Sequence, residues 1–198
     1  MSGGPAVALD KPVSNKRWWQ LVVGVICMIA TANIQYAWTL FVPEIQQEFG
    51  WKRAEIQITF TIFVLVQTWL APIEGYFIDK LGPRLMVAFG ALFIGFAWYL
   101  NSQATSLTAF YVGAVFGGIG VGSIYATCIN NALKWFPDRR GLAVGLTAGG
   151  YGAGSAATIL PIAAMIKTSG FQETFLFFGI LQGLSLIHIS EPTRLLSI

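Results

Sequence analysis

Apolar residues in this chain gather into long windows separated by short polar connections. Five windows run Trp18 to Val42, Ile56 to Ile78, Leu85 to Leu100, Leu107 to Ala132 and Leu142 to Ile166, and a sixth begins near Phe171. About 20 residues at 1.5 Å each cross roughly 30 Å of hydrocarbon, so windows of this size predict membrane-spanning helices. The short connections force neighbouring helices to run antiparallel, which predicts one bundle rather than separate domains. The first window is too long for the core of a cleaved signal peptide and is predicted to end at Pro43, so it is taken as an uncleaved first span.

Composition agrees with that pattern. With 55% hydrophobic and 11% charged residues and a mean hydropathy of +0.65, too few charges remain to cover a water-soluble globule. The net charge of +3 does not point to nucleic acid, because the basic residues lie in loops between apolar windows rather than along one face. Cys27 and Cys128 fall within spans and lack ligand-like neighbours, which predicts apolar fillers and neither a disulfide nor a metal site. No cofactor is expected, and no nucleophile, base and orienting partner converge to suggest an enzyme.

Charge placement predicts orientation. Lys11, Lys16 and Arg17 precede the first span, Lys80 and Arg84 lie between the second and third, and Lys134, Arg139 and Arg140 lie between the fourth and fifth. The opposite loops carry Lys52 and Arg53 beside Glu44, Glu48 and Glu55, then an uncharged turn, then Lys167. The positive-inside rule therefore places the N-terminus in the cytoplasm. Residues 1–15, rich in Gly, Pro and Ser, are expected to be disordered there, with the transmembrane bundle over 16–183. Trp18, Trp19, Trp51 and Trp135 lie near span ends and are expected to anchor at the interface. Glycines at four-residue spacing, Gly113, Gly117 and Gly118, Gly122 in span four and Gly141, Gly145, Gly149 in span five, predict close helix contacts.

The sixth span loses its pattern after Gly183. His188, Glu191, Pro192 and Arg194 stand where a helix should still be crossing, and each charge at mid-bilayer costs about 2.5 to 3.5 kcal/mol on insertion scales. The stretch also resembles an in-frame translation of a sequencing-library transposase adapter. Residues 184–198 are therefore expected to be an artefactual tail on a truncated sixth helix, and His188 is set aside as a functional candidate.

Two loops carry motifs. Gly75-Tyr-Phe-Ile-Asp79-Lys80-Leu-Gly82-Pro83-Arg84 follows the second span. Gly75 permits close helix approach, Asp79 can accept charge-assisted bonds, Gly82 and Pro83 make a tight turn, and Arg84 can hold the far side of the loop. Such a cluster can act as a latch on one conformation. This pattern resembles the cytoplasmic signature of the major facilitator superfamily. The second motif, Lys134-Trp-Phe-Pro-Asp138-Arg139-Arg140-Gly-Leu-Ala, runs into Gly145-Leu-Thr-Ala-Gly-Gly-Tyr151-Gly-Ala-Gly-Ser. It resembles the oxalate/formate antiporter group and, more loosely, monocarboxylate transporters. Asn33-Ile-Gln35-Tyr36-Ala-Trp38-Thr-Leu in span one is close to the same group, and the resemblance covers Lys16 to Gly183.

The resemblance implies an all-α membrane protein, the N-terminal six-helix bundle of a major facilitator fold, whose C-terminal six-helix half is missing. It implies exchange of small organic anions, oxalate for formate, by alternating access across the bilayer, with cationic groups supplied by the missing half. This chain can contribute neutral donors and walls: Gln35, Tyr36, Trp38, Gln67, Tyr125 and Tyr151. Asp138, Arg139 and Arg140 join Gly75, Asp79, Lys80, Gly82 and Arg84 as latch candidates, and Glu74 is assigned to the latch network. The fourth-span arginine of proton-coupled sugar and drug carriers is absent here, so no proton relay is expected in this half. Two alternatives remain open, a proton-linked monocarboxylate carrier and a membrane scaffold that transports nothing.

Overall fold

The computed structural model describes residues 15–190 and is helical throughout its regular structure. The expected disorder of residues 1–15 falls almost wholly outside the described residues, as do Glu191, Pro192 and Arg194 in the tail. The first crossing is built from α1 (Asn15–Thr31), the single turn α2 (Asn33–Tyr36) and α3 (Trp38–Phe49). Together they make a 34-residue apolar stretch from Lys16 to Phe49. Pro43 lies inside α3, so it does not end the span as its chemistry predicted. Inside a membrane bundle, neighbouring groups can satisfy the carbonyl that proline leaves unpaired. The stop is Gly50 at φ 68, ψ 14, whose N–H bonds the Gln46 carbonyl.

The second crossing is α4 (Arg53–Trp69) and α5 (Ala71–Leu81), which meet at Leu70 with a bend of 51°. Glu55 Oε2 accepts from the Lys52 N–H at 3.1 Å and fixes the start of α4. Gly82 then turns the chain at φ 81, ψ 161, a conformation open only to glycine, and Pro83 begins α6 (Pro83–Ser102). Ser106 accepts from the Ala109 N–H at 3.3 Å to start α7 (Leu107–Trp135). The last element, α8 (Arg140–Ser190), is two helical arms joined at Gly170, where φ 80, ψ 171 leaves helical space. A straight helix over its 49 apolar-stretch residues would be roughly 74 Å long, more than two bilayer cores, so the reversal at Gly170 yields two crossings.

The second arm carries helix past Gly183 to Ser190, and Leu186 is fully buried in the core. The expected loss of the span after Gly183 is thus not seen in the backbone. Leu184, Leu186 and Ile187 keep the stretch apolar, and the proline comes only after the described end.

The core sits where the first crossing, α6, α7 and the second arm of α8 converge. Phe41 stacks on Phe175 with centroids 4.0 Å apart, and Trp98 and Phe110 pack at its edges. The Trp98 indole donates to Gln182 Oε1, whose amide nitrogen donates to the Ala30 carbonyl. One polar side chain thereby ties three crossings together. Leu85, Phe89, Leu92, Phe96 and Tyr99 form an exposed apolar stripe along α6 at alternating four- and three-residue steps, the mark of a face turned to lipid.

Candidate functional site

A cavity of about 450 Å³ opens between the first, second, fourth and fifth crossings. Gln35 and Tyr36 reach it from α2, Gln67 from α4, Tyr125 from α7 and Tyr151 from the first arm of α8. Five of the six side chains expected to meet a solute therefore line one space. Tyr151 is the centre of the group. It is buried, its hydroxyl donates to Gln35 Oε1 at 2.6 Å, and its ring lies 5.4 Å from Tyr36 and 5.5 Å from Tyr125. The edge-on angle of 89° to Tyr125 is a favourable quadrupole arrangement. Such a wall offers hydroxyl and amide donors with no fixed positive charge.

Trp38 does not join them. It is buried on the other side of the crossing, edge-on to Phe110 with centroids 6.0 Å apart. The cause is local: the helix restarts between α2 and α3 at Ala37, so Trp38 takes a different direction from Gln35 and Tyr36. Its indole N–H has no partner and faces a space of about 20 Å³ beside Thr59 and Asn101.

Glu74 also departs from expectation. It was grouped with the loop motif, but it lines the cavity with Gln67 and Gly122. Ser123 Oγ donates to Glu74 Oε1 at 3.3 Å, Oε2 has no partner, and the residue is 5% exposed. Among the described residues it is the one acidic or basic residue that is buried. The sequence carried a usable signal. Five positions from Glu74 to Asp79 turn a helix by about 140° from a shared face, whereas seven positions from Gln67 to Glu74 bring it back to nearly the same face.

The loop-motif residues gather at one end of the bundle. Lys134 Nζ meets Asp79 Oδ1 at 3.1 Å, with both side chains exposed. Arg17 Nη1 sits 3.2 Å from both Asp138 carboxylate oxygens, and its guanidinium also covers the Phe136 ring at 5.0 Å. Arg139 reaches Asp138 at 3.8 Å, and Lys80 lies over the Tyr76 ring at 4.5 Å. Arg84 and Arg140 stand exposed at the starts of α6 and α8. Arg17 was read as a charge that sets orientation; its pairing with Asp138, 121 positions away, was not foreseen. A Cβ added at Gly75 would meet nothing within 4 Å, so no close helix contact forms there among the described residues. No group of three or more metal-ligating side chains occurs among the described residues.

Comparison with known proteins decides the family. A model of the Major Facilitator Superfamily matches residues 22–194. The chain belongs to this superfamily. It is 36% identical over 190 residues to the oxalate:formate antiporter of Oxalobacter formigenes, a match covering 96% of this chain and 46% of that protein. It is 32% identical over 174 residues to an uncharacterized 38 kDa protein of Thermoproteus tenax, covering 88% of this chain and 46% of that one. A probable sulfoacetate transporter of Cupriavidus necator is 26% identical over 166 residues, covering 80% and 38%. This superfamily chain thus spans about half the length of the curated relatives it matches. It is a multi-pass membrane protein of that fold.

Proposed function

We propose that this chain forms the N-terminal half of a secondary transporter that exchanges small carboxylate anions, oxalate against formate, by alternating access. The observation that carries the reading is the wall around Tyr151, where three tyrosines and two glutamines line one cavity. Neutral donors of this kind can bond carboxylate oxygens on either side of the membrane and still release them. The 36% identity to the oxalate:formate antiporter supports the substrate class. A second six-helix half, of the kind the relatives' length leaves room for, would close the cavity and supply the cations this wall lacks. The ion pairs Asp79–Lys134 and Arg17–Asp138 would lie on the cytoplasmic side and work as the latch, with Lys80, Arg84, Arg139 and Arg140 beside them.

Counterflow of labelled oxalate into formate-loaded liposomes, with this chain and a second half reconstituted together, tests the reading. Tyr151→Phe removes one donor and is expected to lower oxalate uptake about tenfold, the effect of losing one hydrogen bond to an ionised group. Uptake that ignores internal formate, or a Tyr151→Phe variant as fast as the parent, would sink it. A scaffold that transports nothing would show no counterflow at all.

A further inference from the structure

The exchange reading needs no titratable group in this half, yet a carboxyl stands in the cavity wall. Glu74 is 95% buried by its 5% exposure, and it faces no cation. The titratable residues that share its cavity are Tyr36 from α2, Tyr125 from α7 and Tyr151 from α8. Gln67 and Thr68 of α4 are neutral, and on its α6 side it borders an apolar groove lined by Met86, Phe89 and Leu92. On its own helix, Asp79 is paired with Lys134 and Lys80 lies over Tyr76.

The site is also built around this carboxyl. A Cβ at Gly122 would come within 2.7 Å of Glu74 Oε1 and 2.9 Å of Oε2, so the carboxyl rests directly on the glycine of α7 and would have to swing aside for any larger residue there. Ser123 satisfies Oε1, and Oε2 is left without a donor. A structural glutamate at this depth would be paired with a cation or fully hydrogen-bonded. Ionised, it would repel an anion in the same cavity, and low-dielectric walls make that repulsion stronger than in water.

Resting on the anion reading above, we propose that Glu74 is a proton-exchanging group of this cavity, coupling anion occupancy to uptake of a proton. One O–H bond forms at Oε2 with a proton given up by hydronium or buffer acid in the solution and relayed through cavity water as the anion enters. The carboxyl is then neutral, Oε1 still accepts from Ser123, and the proton returns to water as the anion leaves. Each bound anion is accompanied by one proton, so binding takes up one proton while a one-for-one exchange carries a proton each way and moves none net.

The test uses the 198-residue chain reconstituted together with a second six-helix half in lipid nanodiscs, with formate as the probe because it is fully ionised at neutral pH and brings no proton itself. Calorimetric titration in buffers of different ionisation enthalpy counts protons taken up per formate bound. The expected result is about one, falling to none in Glu74→Gln and persisting in Ser123→Ala, which keeps the carboxyl. Formate binding without proton uptake, or with the same uptake in Glu74→Gln, overturns the inference and leaves the anion reading standing. If formate and oxalate both fail to bind, the anion reading falls, and infrared difference spectra between acid and alkaline buffer decide the rest. A carboxyl C=O band that Glu74→Gln removes keeps the proton-exchanging group; absence of such a band overturns it.

Discussion

On α7, a Cβ at Gly118 would come within 2.7 Å of the Phe63 carbonyl and one at Gly120 within 2.7 Å of the Gly90 carbonyl, whereas Gly141, Gly145 and Gly149 on α8 meet nothing within 4 Å. In the sequence the two regions look alike, with small residues four apart in an apolar helix. In the fold one is a seam where backbones touch and the other is an open face. Small residues permit close approach, and only a partner makes that approach happen. Part of the first arm of α8 is nonetheless closed: Gly150 and Gly154 lie against Val25 and Ile29 of α1. One helix therefore presents a packed glycine face and an empty one.

The largest break in that contrast is expected at the seam's centre. Gly120 and Gly90 face each other backbone to backbone between α6 and α7, and neither carbonyl can move aside as a side chain could. Gly120→Val is expected to cost about 3 kcal/mol, at the upper end for overpacking a closed interior. Unfolding of the chain from mixed micelles by rising detergent denaturant measures it, and a cost below about 1 kcal/mol would mean that α6 and α7 are not closely packed. Gly154→Ala comes next. Its added carbon would strike the Ile29 backbone, but one methyl is a smaller intrusion than the three carbons of valine, so about 1 to 2 kcal/mol is expected by the same measurement.

How far the sequence reaches follows the same division. The number and order of crossings were legible, because a bilayer demands long apolar windows wherever a chain crosses it. Five cavity residues were legible because tyrosine and glutamine within spans are few. What was not legible depended on neighbours or on breaks. Ala37, where α2 gives way to α3, is an ordinary helix former, so nothing in its chemistry warns that Trp38 leaves the cavity face. Pro43 reads as a stop in water and is carried within α3. Glu74 could have been placed by helical spacing, since Gln67, Ala71 and Glu74 form one stripe at steps of four and three. Its nearness to Asp79 along the chain outweighed the geometry. No spacing rule could say which glycine stripe is covered.

The open stripe gives the smallest effect and the sharpest comparison. In the isolated chain, Gly145→Ala adds a methyl where nothing lies within 4 Å and removes the entropic cost of glycine in a helix interior. It is expected to stabilise the chain by about 0.5 to 1 kcal/mol, opposite in sign to both seam variants. The same substitution in the transporter joined to a second half asks what the open face is for. If a second bundle packs there, the added methyl sits between two closely approaching backbones and lowers counterflow or assembly. If the variant stabilises both the isolated chain and the assembled carrier, the face is turned to lipid or water throughout. Unfolding midpoints of the two forms, measured side by side, separate a contact face from a permissive one through a single methyl group.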